Sequence, residues 1–178
     1  MMIDKKLPIL VFMIAILGGC QRIAQKENVP QGEKPEQTIQ VKDIQDYLAA
    51  NIGETAFDGV VFCAYDVLAS TQEDNTSTLY LWVLCQEYYQ ENQRLEQGTG
   101  ISAPVKVILQ DKGLQVLEHK MPRDGQDYGK DVQAIFPQSV WPQILPSNSD
   151  EINDYNNRAE TLEKQVEEKA KTYFETIN

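Results

Sequence analysis

The chain has one histidine, His119, and three cysteines, Cys20, Cys63 and Cys85. A thiol activated by an imidazole is a nucleophile, so His119 beside Cys63 or Cys85 would make a small hydrolytic site. Neither cysteine carries a local catalytic signature, and a lone histidine in a strand pattern is ordinarily structural. Asp124, Asp127 and Asp131 cluster in sequence and offer oxygens to calcium. Their spacing is not that of an EF-hand loop, and a turn with carboxylates at the start of a short helix accounts for them. Glu87, Glu91 and Glu96 could pair for acid–base work, but nothing fixes their geometry, and a solvated acidic loop is the simpler reading. Gly98-Thr99-Gly100-Ile101-Ser102 lacks the lysine and the longer spacing of a phosphate loop and reads as a turn. Asn75-Thr76-Ser77 matches a glycosylation sequon at chance frequency. No catalytic residue, metal or cofactor is assigned on these grounds. A binding module is favoured over a hydrolase with a site near His119.

The third cysteine stands in a different context. Lys5 and Lys6 precede an apolar run, Leu7 to Leu17, of eleven residues, which ends in Leu17-Gly18-Gly19-Cys20. A helix needs about 20 residues to cross a hydrocarbon core, so this run fits the apolar part of a secretory signal instead. Leu-Gly-Gly-Cys resembles the bacterial lipobox. That resemblance implies cleavage before Cys20 and a diacylglyceryl group on its sulfur. It also implies a lipoprotein on the exported side of the cell membrane or outer membrane. Two or three acyl chains, palmitate among them, hold a protein stably where one chain does so only marginally.

Residues 1–19 thus read as the signal peptide and 20–37 as the lipidated cysteine and a tether. The tether contains Pro30, Gly32 and Pro35 among Lys, Glu and Gln, and has too little apolar surface to fold. Residues 38–178 read as one domain, a length that needs no metal or disulfide framework to fold. The whole chain carries a net charge of −11. Without the leader, fourteen basic residues face twenty-six acidic ones, a net of −12. Such a surface repels phosphate backbones, so no nucleic-acid partner is expected. The partners expected are the membrane, through Cys20, and a protein or small ligand of unknown identity.

The elements that would position these residues can be read from periodicity. Val41, Ile44, Tyr47, Leu48 and Ile52 recur at helical spacing and Gly53 ends the run. Strands are expected over Val60–Tyr65, Leu79–Tyr89, Val105–Leu109 and Leu114–Met121, with the polar stretches Ser70–Thr78 and Gln90–Gly100 as turn and loop. Asp111-Lys112-Gly113 fits a three-residue hairpin that places Lys106 opposite Glu118, Ile108 opposite Val116 and His119 opposite Val105. The core face of that hairpin is expected to hold Val105, Val107, Leu109, Leu117 and Met121. Val132, Ile135 and Phe136 suggest a short helix. Asn148 and Glu151 resemble a capping box opening a helix of roughly 28 residues. Its apolar stripe, Ile152, Tyr155, Ala159, Leu162, Val166, Tyr173 and Ile177, is interrupted only by Lys169. That stripe is expected to pack on its own sheet and leave a monomer, rather than to pair as a coiled coil.

With Cys20 acylated, Cys63 and Cys85 are the two thiols left to pair in an exported protein. A first hairpin symmetric about Asp74 puts them opposite each other, and a shift of one residue puts them on opposite faces. A disulfide and a pair of buried free thiols both remain open.

The fold class is therefore α+β: an N-terminal helix, a four-stranded antiparallel meander and a long C-terminal helix. This order resembles cystatin-like and NTF2-like domains, an analogy of element order that carries no function. Tyr80-Leu81-Trp82-Val83, Gly98 to Ser102 and Pro122-Arg123-Asp124-Gly125 through Pro137 resemble an unassigned family of small exported bacterial proteins. That second resemblance implies no activity and no site residues. The aromatic residues Tyr80, Trp82, Tyr88, Tyr89 and Trp141 are candidates to line a binding surface.

Overall fold

In the computed structural model the described residues are 41–110 and 115–177. The expected signal peptide, Cys20, the expected tether and the expected Asp111-Lys112-Gly113 turn lie outside them. Helix α1 (Val41–Asn51) leads into a meander of β1 (Val60–Glu73), β2 (Thr76–Glu91), β3 (Arg94–Gln110) and β4 (Gln115–Lys120). Short helices α2 (Tyr128–Ile135) and α3 (Trp141–Ile144) follow, and α4 (Ser149–Thr176) is the long helix. The sheet order is β1-β2-β3-β4 and all pairs are antiparallel. The α+β class and the order of helix, four-stranded meander and long helix are as the sequence predicts.

Three layers result, because the central strand β2 is apolar on both sides. Leu79, Leu81, Val83 and Cys85 point one way, onto Ile44, Leu48 and Ile52 of α1. Trp82 and Tyr88 point the other way, onto Val132, Phe136 and Ile144 and onto Leu162, Val166 and Ala170 of α4. A strand buried on both faces reads as a near-continuous apolar run, which is what Leu79 to Cys85 shows. Helix α4 begins where expected. The Asn148 side chain accepts hydrogen bonds from the backbone N–H of Asp150 and Glu151, and the Glu151 carboxylate accepts from Ser147 N at 2.7 Å. Its stripe is buried only in the middle, since Ile152, Tyr173 and Ile177 are exposed.

The turns differ from expectation. Ser70–Thr78 and Gln90–Gly100 are not loops: the strands run through them to two-residue turns at Asp74-Asn75 and Asn92-Gln93. Asn92 and Gln93 both have positive φ, 50° and 63°, which twists a two-residue turn to match its strands. Polar composition marked these stretches as solvent-exposed. The backbone ladder holds them together without needing apolar side chains.

Three bulges set the register. Leu68 is an extra residue on β1, so a turn centred between Asp74 and Asn75 still brings Cys63 opposite Cys85 and Tyr65 opposite Val83. Between β2 and β3, Glu87 alone faces Gly98 and Thr99. On β4 the extra residue is Leu117. The ladder also opens with Gln110 facing Gln115, one residue later than a three-residue hairpin gives, and the two shifts together leave Lys106 facing Lys120 rather than Glu118, Ile108 facing Glu118 rather than Val116, and His119 facing Val107 rather than Val105. The late opening reverses parity up to the bulge: Val116 packs on the core and Leu117 is exposed, against expectation. The glutamate that was to neutralise Lys106 pairs with Lys120 on its own strand at 3.0 Å.

Candidate functional site

Strand β1 is one edge of the sheet, and among the described residues its only ladder partner is β2. Helix α1 covers one face beside this edge and α4 the other. Between them runs a groove floored by Val60 to Cys63 and walled by Gln45, Asp46 and Ala49 on α1 and by Lys169 and Tyr173 on α4, a concavity of about 460 Å³. It continues past Gln165 to a second concavity beside Tyr65, Asp66, Arg158 and Leu162.

The polar groups along the groove are held in place. The Lys169 ammonium donates to the Cys63 carbonyl oxygen at 2.7 Å, and burial lowers its pKa from the usual lysine value. Lys169 thus interrupts the apolar stripe of α4 for a reason: at that point the helix faces a strand edge. Farther along, the nearly buried Arg158 donates from Nε to Asp66 at 3.0 Å and from a terminal nitrogen to the Gln143 carbonyl at 3.0 Å. Its guanidinium stands 5.9 Å from the centre of the Trp82 ring, within cation–π range. Trp82 in turn donates to Ser102 Oγ and meets Tyr155 edge-on.

The residues singled out from sequence lie elsewhere and are occupied. Cys63 and Cys85 are joined in a disulfide with Cα atoms 4.1 Å apart, so neither sulfur is a thiol that His119 can activate. His119 is half-buried on β4, its Nδ1 2.8 Å from the Tyr47 hydroxyl on α1. Asp131 accepts two bonds from the Arg123 guanidinium and one from the Arg123 backbone N–H, and these hold its pKa at about 2. Asp127 lies 3.3 Å from the same guanidinium. The aspartate cluster is turned onto an arginine, and among the described residues no group of three or more His, Cys, Asp or Glu is placed to hold a metal ion. The Gly98–Ser102 segment is strand, not turn. Of the aromatic residues, Trp82 and Tyr88 are core, and Tyr89 stacks on exposed Phe57 with centroids 5.0 Å apart.

Glu87, Glu91 and Glu96 are not brought together as an acid–base set. Glu91 and Glu96 stay on the outer arm of the β2–β3 hairpin, whereas Glu87 is fully buried. The Glu87 carboxylate accepts from the backbone N–H groups of Ala56, Phe57, Gly59 and Thr99 at 2.9–3.1 Å, with the Thr99 hydroxyl also at 3.0 Å. Burial by itself would raise its pKa, but the four N–H donors outweigh burial and hold it at about 2. Gly98 and Gly59 make room, since a Cβ on either would come within 2.3 or 2.5 Å of the carboxylate or of neighbouring backbone. The carboxylate fastens the α1–β1 connection to the bulge in β3. The clue in the sequence was a glutamate inside an apolar strand, with a glycine at 59 just ahead of β1 and another at 98 on β3.

The chain matches no family model, no curated protein and no solved structure.

Proposed function

We propose that the protein is a lipid-anchored envelope protein whose domain is a non-enzymatic interaction module, working through the groove along β1. The observation that carries this reading is the groove itself. It is an open strand edge with a helix on each side, where the Lys169 ammonium is bonded to backbone and Arg158 is paired with Asp66. The groups that would serve catalysis are engaged in holding the fold: two sulfurs bonded to each other, an imidazole on a tyrosine, and a carboxylate with all its donors supplied. The lipobox-like Leu17-Gly18-Gly19-Cys20 supplies the anchor. None of the described helices is long and apolar enough to cross a membrane, so an anchor on Cys20 would be what keeps the domain at the bilayer.

Two experiments test the two parts. Cys20→Ser should stop acylation, so the protein should leave the membrane fraction or accumulate as the unprocessed precursor. Normal cleavage with full membrane retention would refute the anchor. For the groove, a photo-crosslinking amino acid replaces the exposed Thr172 on the α4 wall, or Glu118 on β4 at the other edge of the sheet. Irradiation of intact cells should give a discrete protein adduct from position 172 and none from 118. Equal labelling, or none at either position, would sink the interaction reading.

A further inference from the structure

The way β1 presents its backbone narrows the partner. The Cys63 carbonyl points away from β2, since it meets Lys169 of α4. In an antiparallel ladder the residues of non-hydrogen-bonded pairs turn their N–H and C=O outward, and the 4.1 Å Cα separation of Cys63 and Cys85 fits such a pair. Alternation gives Val61, Tyr65 and Val67 the same outward orientation up to the bulge at Leu68. Four successive outward residues are the template on which an extended chain adds as a further strand.

Resting on the interaction-module reading above, we propose that the β1 edge binds an extended basic polypeptide segment as an added strand, with Lys169 the placeholder it displaces. The Lys169 ammonium satisfies one edge carbonyl while the groove is empty. It sits half-buried there, and an incoming amide N–H takes over the carbonyl and returns the ammonium to water. Charge selects the partner's sign. Residues 38–178 carry eleven basic and twenty-three acidic residues, a net of −12. Helix α4, which forms one wall, has eight acidic residues against four basic. Three of those four, Arg158, Lys169 and Lys171, are already bonded or paired within the domain. An acidic segment, or a second copy of this acidic domain, would be repelled where a basic one is attracted.

The test uses the purified full chain and three fluorescein-labelled octapeptides: alternating Lys-Val, alternating Glu-Val, and Lys-Val N-methylated at every second residue. Lys-Val should bind at least roughly tenfold tighter than either of the others. Its binding should slow amide exchange at Val61, Cys63, Tyr65 and Val67. Lys169→Met, which removes the competitor for the Cys63 carbonyl, should tighten binding several-fold. Val67→Pro, which deletes one outward N–H at a position where an edge strand tolerates proline, should abolish it. If Val67→Pro fails to fold, the N-methylated peptide decides alone. Binding that survives N-methylation, or that leaves exchange of β1 unchanged, means simple charge attraction to α4 and overturns the proposal. A discrete Thr172 adduct in cells with no Lys-Val binding overturns the basic strand but leaves the interaction module standing. Failure of both removes both.

Discussion

Glu87→Gln should lower the melting temperature at pH 7 by on the order of 10 °C, a larger effect than any surface substitution in this domain. The change is isosteric, so packing is kept. What is lost is acceptor capacity: an amide nitrogen now faces the backbone N–H groups of Phe57 and Gly59, or those of Ala56 and Thr99, donor against donor, in a site with no exposure. The pH dependence gives a second signature. The folded carboxyl has a pKa of about 2, below its ordinary value near 4.5. The ionised form is therefore favoured by folding, and its contribution is complete above about pH 4.5 and is lost as the pH falls toward 2. Asp131, also at about 2, titrates in the same window. Thermal melts of the wild type from pH 7 to pH 2 should show a steep acid limb. Glu87→Gln should flatten part of that limb, and Asp131→Asn a separate part. A melting temperature within 2 or 3 °C of wild type, with an unchanged acid limb, would mean that the carboxylate does not clamp the connection.

Removing the Cys63–Cys85 bond should cost about 3 kcal/mol on the loop-entropy account, since it closes a loop over a sequence separation of 22. Guanidinium unfolding of the wild type with and without reductant should differ by that amount. The Cys63→Ala/Cys85→Ala double variant should match the reduced wild type and show no response to reductant. The sulfurs are buried against α1, so reduction should also be slow under native conditions. A double variant as stable as oxidised wild type, or two alkylated thiols in native-purified protein, would overturn the bond.

The elements were legible where burial imposed a period. Ile44, Leu48 and Ile52 marked α1, and Asn148 with Glu151 marked the start of α4. The register was legible only in part. Cys63 does face Cys85, but through two departures from regularity that cancel: a turn half a residue later and an extra residue at Leu68. On β4 the ladder opens one residue late, with Gln110 opposite Gln115, so the faces of Gln115 to Leu117 were misread, and the extra residue at Leu117 restores the expected faces from Glu118 onward while leaving their partners shifted by two. A bulge leaves no compositional mark when its residue is as apolar as its neighbours. The groove was hidden for another reason. Its lining comes from α1, β1 and α4, brought together by topology, and its one trace in the sequence was a lysine standing where the helix stripe called for an apolar residue.

The buried carboxylate at Glu87 also locks the alignment of the sheet against slippage. Its neighbour Tyr88 belongs to the opposite face, packed edge-on against Phe62. If β2 slipped by one residue, the carboxylate would swing into that aromatic layer with no N–H to meet it, and the tyrosine would be thrust at the α1–β1 connection. A slip between two apolar strands would ordinarily be a shallow error, since one aliphatic side chain replaces another. Here a single anion makes the misaligned sheet far less stable than the aligned one.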